Sequence, residues 1–423
     1  MIFTLDYLSF HADKYNISQE HLENTRLQAT KTSPMMAAIE RCMDQVDEEI
    51  LVTLVPRLCS IIRKGVGLPT KAGCARIVCS LCSKYTSEMD LHASALMKAL
   101  SGVIQDRSIV LRKAVATAIG HVARLVSQNT LLQFIRHNKK FYLDSGDEDE
   151  RQITAIAFKE IARYAPDKMK SVMGEVLPIA FLGIHDSVEG LQALWSSVWD
   201  ELAAGSKSAS RLWIPEILTL CEQLMKDSQS WKIKRQVAKC ISAVAQAGGA
   251  SFDDFRESSF KILIDSVSGR TWEGKEDVVE SLSTLAIESN TWLANHQALK
   301  DEITAVFCRE ATKNAKSYKR VAIDCLGKVV LEFKVDVYDR VEQYLMEYCM
   351  ESNDMDVDDV RDKPLSLSIQ AGSYKALGKC FSAGTRSYGN LLFYLMIQIS
   401  GTKRYIILQK LYSIMRGIFD LLF

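Results

Sequence analysis

Apolar and small residues recur along this chain at the spacing of an amphipathic helix. In the stretch 105–125, QDRSIVLRKAVATAIGHVARL, they form a stripe that consists of Ala114, Ala118, Ile119, Val122 and Leu125. Because residues three and four positions apart share one face of an α-helix, this stretch predicts the second helix of a helical hairpin. Asp106 stands in the turn before that helix, and we expect Arg112 to reach the turn of an adjacent hairpin.

The same pattern returns roughly every 40 residues, within the ~40–47 residues expected of HEAT and armadillo units. We therefore predict an all-α fold, an α-solenoid of about nine HEAT-like helical hairpins in an armadillo-like superhelix. Its predicted parts are N-terminal helices of a partial repeat at 1–46, HEAT-like repeats at 47–383 and a divergent last HEAT-like hairpin at 384–423. That hairpin is apolar on several faces, whereas a terminal repeat normally has a polar outer face. We infer a piece of a larger solenoid, although a docking surface at this end would give the same pattern.

Composition agrees with a folded helical chain. Of the 423 residues, 48% are hydrophobic and 25% are charged, and the 52 basic and 52 acidic residues give a net charge of 0. A neutral chain has no overall field to hold nucleic acid, so we expect no nucleic-acid partner. The 11 Cys include Cys42, Cys221, Cys240 and Cys325, which lie within apolar helical stripes. This placement indicates reduced, buried thiols in a cytosolic or nuclear protein.

The sequence contains no stretch of ~18 apolar residues, the length that a transmembrane helix requires. The most apolar run, LLFYLMIQI at 391–399, fits a buried core helix better. The N-terminus, MIFTLDYLSFHADKY, has no basic region followed by an apolar region of secretory length. We therefore predict a cytoplasmic chain without a transmembrane segment.

No candidate metal, redox or catalytic site has the residue spacing that its chemistry requires. Cys79 and Cys82 have the CxxC spacing with Cys74 nearby, but they lie inside an amphipathic helix and no second CxxC completes four ligands. Buried core thiols are therefore preferred to a metal or redox site, which stays open as an alternative. The seven His show no HExxH or other ligand spacing, and no Ser/His/Asp order can be defended. We predict no enzyme activity, no metal and no cofactor.

Candidate partner contacts lie in the turns, because long polar insertions of a solenoid sit on one face that is often the binding face. The predicted partner-binding residues are a basic turn and an acidic insertion: Lys316, Lys319, Arg320, Asp354, Asp356, Asp358 and Asp359. The loop 144–149 is a further candidate. Trp231 and Trp272 each open a second helix, and either they pack between neighbouring repeats or they anchor an interface.

Several strings together carry a family resemblance. They are LVPRLCSIIRKGVGLPTKAGCA, EVLPIAFLGIHD, QSWKIKRQVA, GRTWEGKEDVVESL, LDYLSF and YKALGKC. These strings resemble the C-terminal region of the large HEAT-repeat proteasome adaptor and scaffold proteins, in which SWK and GRTWxGKE are not general HEAT signatures. The resemblance implies a non-catalytic scaffold that binds proteasome subunits and stabilises or checks proteasome assembly. It further implies tethering to endoplasmic reticulum, endosomes, vesicles or cytoskeletal motors.

Two other functions stay open from the sequence. A karyopherin-like transport receptor is also a HEAT array and would bind a small GTPase in a nucleotide-dependent way, but this chain has no strongly acidic stretch for a concave face. A metal or redox protein built on Cys74, Cys79 and Cys82 is the second alternative, and stoichiometric zinc in the purified chain would support it.

Overall fold

The computed structural model describes residues 19–203, 211–313 and 315–341, together with residues 344, 376 and 379. Throughout these residues the regular structure is helical, which confirms the predicted all-α class. The helices are, in chain order, α1 (Gln19–Lys31), α2 (Pro34–Met43), α3 (Glu48–Lys64), α4 (Leu68–Lys84), α5 (Thr86–Ser101), α6 (Ile109–Ala123), α7 (Gln128–Asp144), α8 (Glu148–Tyr164), α9 (Pro166–Lys170), α10 (Met173–Ile184), α11 (Glu189–Ala203), α12 (Ile214–Asp227), α13 (Trp231–Gly248), α14 (Arg256–Val267), α15 (Lys275–Glu288), α16 (Asn290–Leu293), α17 (Gln297–Ala311) and α18 (Lys316–Phe333). A 3-10 helix, Gly249–Phe255, joins α13 to α14.

The chain divides into two compact units, residues 1–220 and 221–423. The first contains the hairpins α3/α4, α5/α6, α7/α8 and α10/α11, whose second helices α4, α6, α8 and α11 pack against one another in order. In the second unit, α13, α15 and α18 pack in the same way, with α14 and α17 as hairpin partners of α15 and α18. This stacking of successive hairpins confirms a HEAT-like solenoid. The predicted ninth hairpin, 384–423, lies outside the described residues, as does most of the eighth.

Side chains in the turns begin many of the helices. Ser33, Asp47, Ser108 and Ser127 each accept a hydrogen bond from a backbone N–H in the first turn of the helix that follows. Such a cap satisfies one of the N–H groups that a helix start leaves unpaired and contributes about 1 kcal/mol. Thus Ser108 caps α6. Asp106 does not cap the helix itself, because its side chain accepts a hydrogen bond from the Ser108 N–H in the turn before α6.

The second helices approach one another closely because small residues line their contacts. Ala118 and Ile119 of α6 are fully buried, as the stripe predicts. A Cβ added at Gly120 would lie 2.6 Å from the carbonyl oxygen of Glu160 on α8, so only glycine permits this approach. Gly183 of α10 similarly makes room for the indole of Trp195, which is fully buried.

The structure adds elements that the sequence pattern did not predict. Helix α2 and the short helices α9 and α16 lie between the predicted ones. The signal for α2 was present, since Ser33 followed by Pro34 is the usual cap and first residue of a helix. Helix α13 ends at Gly248, where the following Gly249 has a positive φ of 56°, a conformation that favours glycine.

Candidate functional site: the turns between repeats

Cationic side chains of one repeat contact the turn of the next repeat. In the first unit, Lys71 Nζ of α4 lies 2.9 Å from Asp106 Oδ2 in the turn before α6. Arg112 of α6 donates from Nε to the carbonyl oxygen of Asp106 at 2.7 Å, and its Nη1 lies 3.4 Å from Asp149 Oδ1 at the start of α8. The predicted reach of Arg112 into an adjacent turn is therefore confirmed.

We call this series of ion pairs between the turns of successive repeats the ladder. Its next ion pair along the chain is fully buried. Arg151 of α8 donates from Nη1 to Asp186 Oδ2, and the hydroxyl of Tyr142 donates to the same oxygen at 2.7 Å. Arg151 and Asp186 are 3% and 1% exposed. A buried ion pair of this kind holds one geometry, because separating the two charges without water is costly. The ladder thus joins neighbouring repeats at their turns.

Two partly buried ion pairs of the ladder shift the pKa of their carboxylates. Burial alone would raise the pKa of Asp106. The hydrogen bonds from the Lys71 ammonium and the Ser108 N–H lower it by more than that, so the net pKa is below its ordinary value. Glu175 behaves similarly: burial acts to raise its pKa, and hydrogen bonds from Lys139 and Arg136 at 2.9 Å lower it overall. Two of the three cations in this part of α7, Arg136 and Lys139, are therefore paired within the protein, whereas Lys140 is exposed.

In the second unit the ladder includes a buried cluster of charges. Lys275 of α15 and Glu310 of α17 are both 0% exposed, and their charged atoms lie 3.3 Å apart. The same Glu310 oxygen accepts a hydrogen bond from the Tyr318 hydroxyl and lies 2.6 Å from Lys313 Nζ. Burial lowers the pKa of Lys275 to about 8, and the neighbouring Lys313 adds to this effect while Glu310 opposes it.

The predicted basic turn lies beside this cluster. Lys316 begins α18, Lys319 is 3% exposed and engaged in contacts inside the protein, and Arg320 is exposed. Of the three cations predicted to bind a partner here, Arg320 is therefore the one that the structure shows as exposed. The acidic insertion with Asp354, Asp356, Asp358 and Asp359 lies outside the described residues. The partner-binding role of both groups stays a prediction.

Two tryptophans from consecutive turns stack on each other. The rings of Trp231 and Trp272 have centroids 4.5 Å apart and planes inclined by 23°. Packing between neighbouring repeats, one of the two interpretations left open by the sequence, therefore accounts for part of their role. Yet Trp231 remains 50% exposed, and Lys234 Nζ lies 5.0 Å from the centre of its ring.

Two regions of the chain match models of known protein families. Residues 4–143 match the family model described as "Proteasome adapter and scaffold protein ECM29, HEAT-repeat domain". Residues 286–405 match the model "ECM29, C-terminal ARM-like repeats". The chain belongs to the ECM29 family. Two separate parts of the sequence thus match ECM29 models, as the resemblance of the quoted strings indicated.

Individual ECM29 proteins align with most of this chain. Proteasome adapter and scaffold protein ECM29 of Homo sapiens is 30% identical over 396 residues, which are 89% of this chain and 21% of that protein. Proteasome component ecm29 of Schizosaccharomyces pombe is 27% identical over 394 residues, 91% of this chain and 23% of that protein. The chain therefore spans less than a quarter of the length of these ECM29 relatives.

A solved structure of a Kap121p mutant has a similar fold. The TM-score is 0.51, with 11% sequence identity over 89% of this chain and 38% of that chain. At this identity the similarity shows the solenoid architecture alone, so it gives no support to the karyopherin-like alternative. Among the described helices of this ECM29 family member, none combines the length and the apolar character needed to cross a bilayer.

Most of the described cysteines lie in the core, whereas Cys42, which the sequence predicted to be buried, is exposed. Cys74 and Cys82 are 6% and 1% exposed, and burial raises the pKa of both Cys79 and Cys82 to about 12. Since the thiolate is the form that binds metals and reacts, burial disfavours both functions at neutral pH. Within residues 19–341 as far as the structure describes them, no three metal-ligating side chains are grouped to hold an ion.

Proposed function

We propose that this chain is a non-catalytic scaffold that binds the proteasome through the exposed turns of its solenoid. Membership of the ECM29 family is the observation that carries the proposal, because its human member is named a proteasome adapter and scaffold protein and its Schizosaccharomyces pombe member a proteasome component. The architecture supports it, because the ladder of ion pairs holds successive turns in a defined order and leaves Arg320 facing solvent. An ordered row of turns can contact two subunits of a large particle at once.

The proposed mechanism is mass action. Once one turn has bound its subunit, a second contact becomes intramolecular, with an effective concentration in the mM range for a short connection. Contacts that exist only when two subunits are adjacent favour the assembled particle, because a ligand shifts a population toward the state that it binds better. In this way the chain stabilises or checks proteasome assembly. Tethering of the bound proteasome to endoplasmic reticulum, endosomes, vesicles or motor proteins, in the cytoplasm or nucleus, is the finer part of the same proposal.

Co-sedimentation of the purified chain with purified proteasome tests this function. We expect the unmodified chain to bind, and the variant Lys316→Glu/Arg320→Glu to bind about tenfold more weakly. In the variant, two negative charges face the acidic patch of the partner that the original cations would bind, and like charges repel. Lys319 stays unchanged in this variant, since it is buried and reversing its charge would disturb the fold. Lys261→Glu is the matched control, because Lys261 is exposed like Arg320 but belongs to a different helix, α14.

The outcomes separate the function from the site. Absence of binding by the unmodified chain contradicts the proposed function. Equal binding by the unmodified chain and the Lys316/Arg320 variant leaves the function standing and removes the basic turn from the interface. Weakening by the Lys261 control as well would show a general effect of charge, which also removes the basic turn as a specific site.

A further inference from the structure

The stacked tryptophans form a surface with an unusual composition for a solenoid turn. Trp231 is 50% exposed, whereas Trp195, which serves packing alone, is 0% exposed. Indole rings contribute large contact areas to interfaces and lose little conformational entropy when they bind. A half-exposed indole in the first turn of α13 is therefore placed as a contact residue. We call the surface formed by Trp231, Lys232, Lys234, Arg270 and Trp272 the tryptophan–lysine surface.

We propose that the tryptophan–lysine surface docks an acidic protein segment that carries an aromatic side chain. The aromatic side chain of the partner stacks on the exposed indole of Trp231, and its carboxylates pair with the surrounding cations. This partner is defined by its chemistry, and the proposal does not depend on proteasome binding.

The charges of the surface support an anionic partner. Within the described residues, Lys232, Lys234 and Arg270 form no ion pair with a carboxylate, and Lys232 and Arg270 are exposed. Other cations nearby are already neutralised: Arg235 Nε and Lys239 Nζ lie 2.6 and 3.2 Å from Asp277 Oδ2. The ladder thus consumes some of the positive charge of this region and leaves a remainder that faces solvent.

The turn that carries Trp272 is held rigidly before any partner arrives. Lys313 Nζ donates to the carbonyl oxygen of Gly269 at 2.6 Å, and Lys275 Nζ donates to the carbonyl oxygens of Gly269 and Arg270 at 3.3 and 3.4 Å. Gly274 has a φ of 92°, and a Cβ there would overlap the side chain of Arg235 from the preceding repeat. A surface that is already ordered loses less entropy on binding, which favours affinity.

A protein segment fits this surface better than nucleic acid does. Binding to a phosphate backbone depends on several cations distributed along a groove. Here the surface has three cations without a carboxylate partner among the described residues, and one of them, Lys234, lies over the indole of Trp231. The exposed Glu273 lies in the same turn as Trp272, and the chain as a whole has a net charge of 0. A short acidic segment can pair with the cations and avoid Glu273, whereas a continuous row of phosphates is repelled by it.

Fluorescence anisotropy with a fluorescein-labelled peptide of alternating Glu and Phe tests the proposal on the whole chain. We expect saturable binding that weakens with added salt, about tenfold or more weaker binding by Trp231→Ala, and a similar loss for Lys232→Glu/Lys234→Glu. Trp231→Phe keeps an aromatic face and is expected to stay within about threefold of the unmodified chain. A peptide in which Lys replaces every Glu is expected not to bind.

Two matched variants control for general effects. Leu331→Ala removes another exposed apolar side chain of the same unit, which is 43% exposed, and Lys261→Glu reverses another exposed charge. Both are expected to bind the peptide as the unmodified chain does, and circular dichroism with thermal unfolding checks that every variant is folded. The proposal is overturned when Trp231→Ala or Lys232→Glu/Lys234→Glu, folded, binds as tightly as the controls. Tighter binding of a labelled single-stranded oligonucleotide than of the acidic peptide overturns it as well.

Discussion

The substitution Asp186→Asn tests whether the buried step of the ladder holds two repeats together. Asp186 accepts hydrogen bonds from Arg151 Nη1, from the Tyr142 hydroxyl at 2.7 Å and from the Val188 N–H at 3.1 Å. Asn has nearly the same size but no charge, and its amide group would turn a donor toward one of these donors. Because Asp186 is the carboxylate paired with Arg151, the substitution leaves a buried guanidinium without that charge. Its Nε already lacks a hydrogen-bond partner within the described residues. Loss of one partner of such a pair costs about 3–5 kcal/mol.

Amide hydrogen exchange measures this loss where it occurs. In a solenoid each repeat is stabilised mainly by its own core and by its neighbours, so the effect of the substitution is expected in α7, α8 and α10, with little change in α4. At about 1.4 kcal/mol per factor of ten, the expected loss of about 3–5 kcal/mol corresponds to exchange that is roughly 10²- to 4 × 10³-fold faster in α8. Mass spectrometry of peptides from α4 and α8 gives both values in one experiment.

Two further variants decide the interpretation. Arg151→Met/Asp186→Leu removes both charges and is expected to recover most of the stability, because well-packed apolar residues often replace a buried ion pair at little cost. Glu20→Gln disrupts the ion pair with Lys113, whose side chains are 45% and 57% exposed, and is expected to change stability by less than ~1 kcal/mol. Exchange in α8 that is the same in Asp186→Asn as in Glu20→Gln would refute the claim that this pair joins the repeats.

Two other substitutions probe packing and pH. Gly183→Ala places a methyl group against the fully buried indole of Trp195 and is expected to destabilise the first unit by about 1–3 kcal/mol, measured by urea unfolding followed by tryptophan fluorescence; an unchanged midpoint would contradict it. The native pKa of Lys275, about 8, lies below its ordinary 10.5, so between these pH values the unfolded chain binds the proton that the native chain has released. The contribution of this group to the free energy of unfolding therefore rises with pH by up to about 1.4 kcal/mol per pH unit. Lys275→Met is expected to abolish that rise when the free energy of unfolding is measured by urea titration at several pH values. Parallel plots of this free energy against pH for both chains would argue against it.

The repeat pattern and one of its connecting residues could be predicted from the sequence. The stripe of α6 specifies which face is buried, since helical spacing alone determines that Ala118 and Ile119 share a face. Arg112 was also predictable, because it follows the turn at Asp106 by six residues and has no local carboxylate that would hold it. These features depend on spacing within one helix or one turn, which the sequence displays directly.

Features that depend on contacts between repeats could not be predicted in the same way. Lys316, Lys319 and Arg320 form one cluster in the sequence, yet Lys319 is buried while Arg320 faces solvent. Which cation is buried depends on the packing of α18 against the preceding second helix. The stacking of Trp231 on Trp272 likewise joins residues of different repeats, and its geometry follows from how the two hairpins are stacked.

A cation in a turn of this solenoid has one of two roles, and its neighbour in the next repeat decides which. Where a carboxylate of the next repeat lies within reach, as Asp277 does for Arg235, the cation joins repeats and its charge is neutralised. Where no carboxylate in the described part of the chain pairs with it, as for Lys232 and Arg270, the positive charge remains on the surface. Charge clusters in the sequence therefore overstate the surface available to partners. A search for the contact sites of this chain should begin from the cations that the ladder leaves unpaired, and among these the ones beside Trp231 combine charge with an exposed aromatic ring.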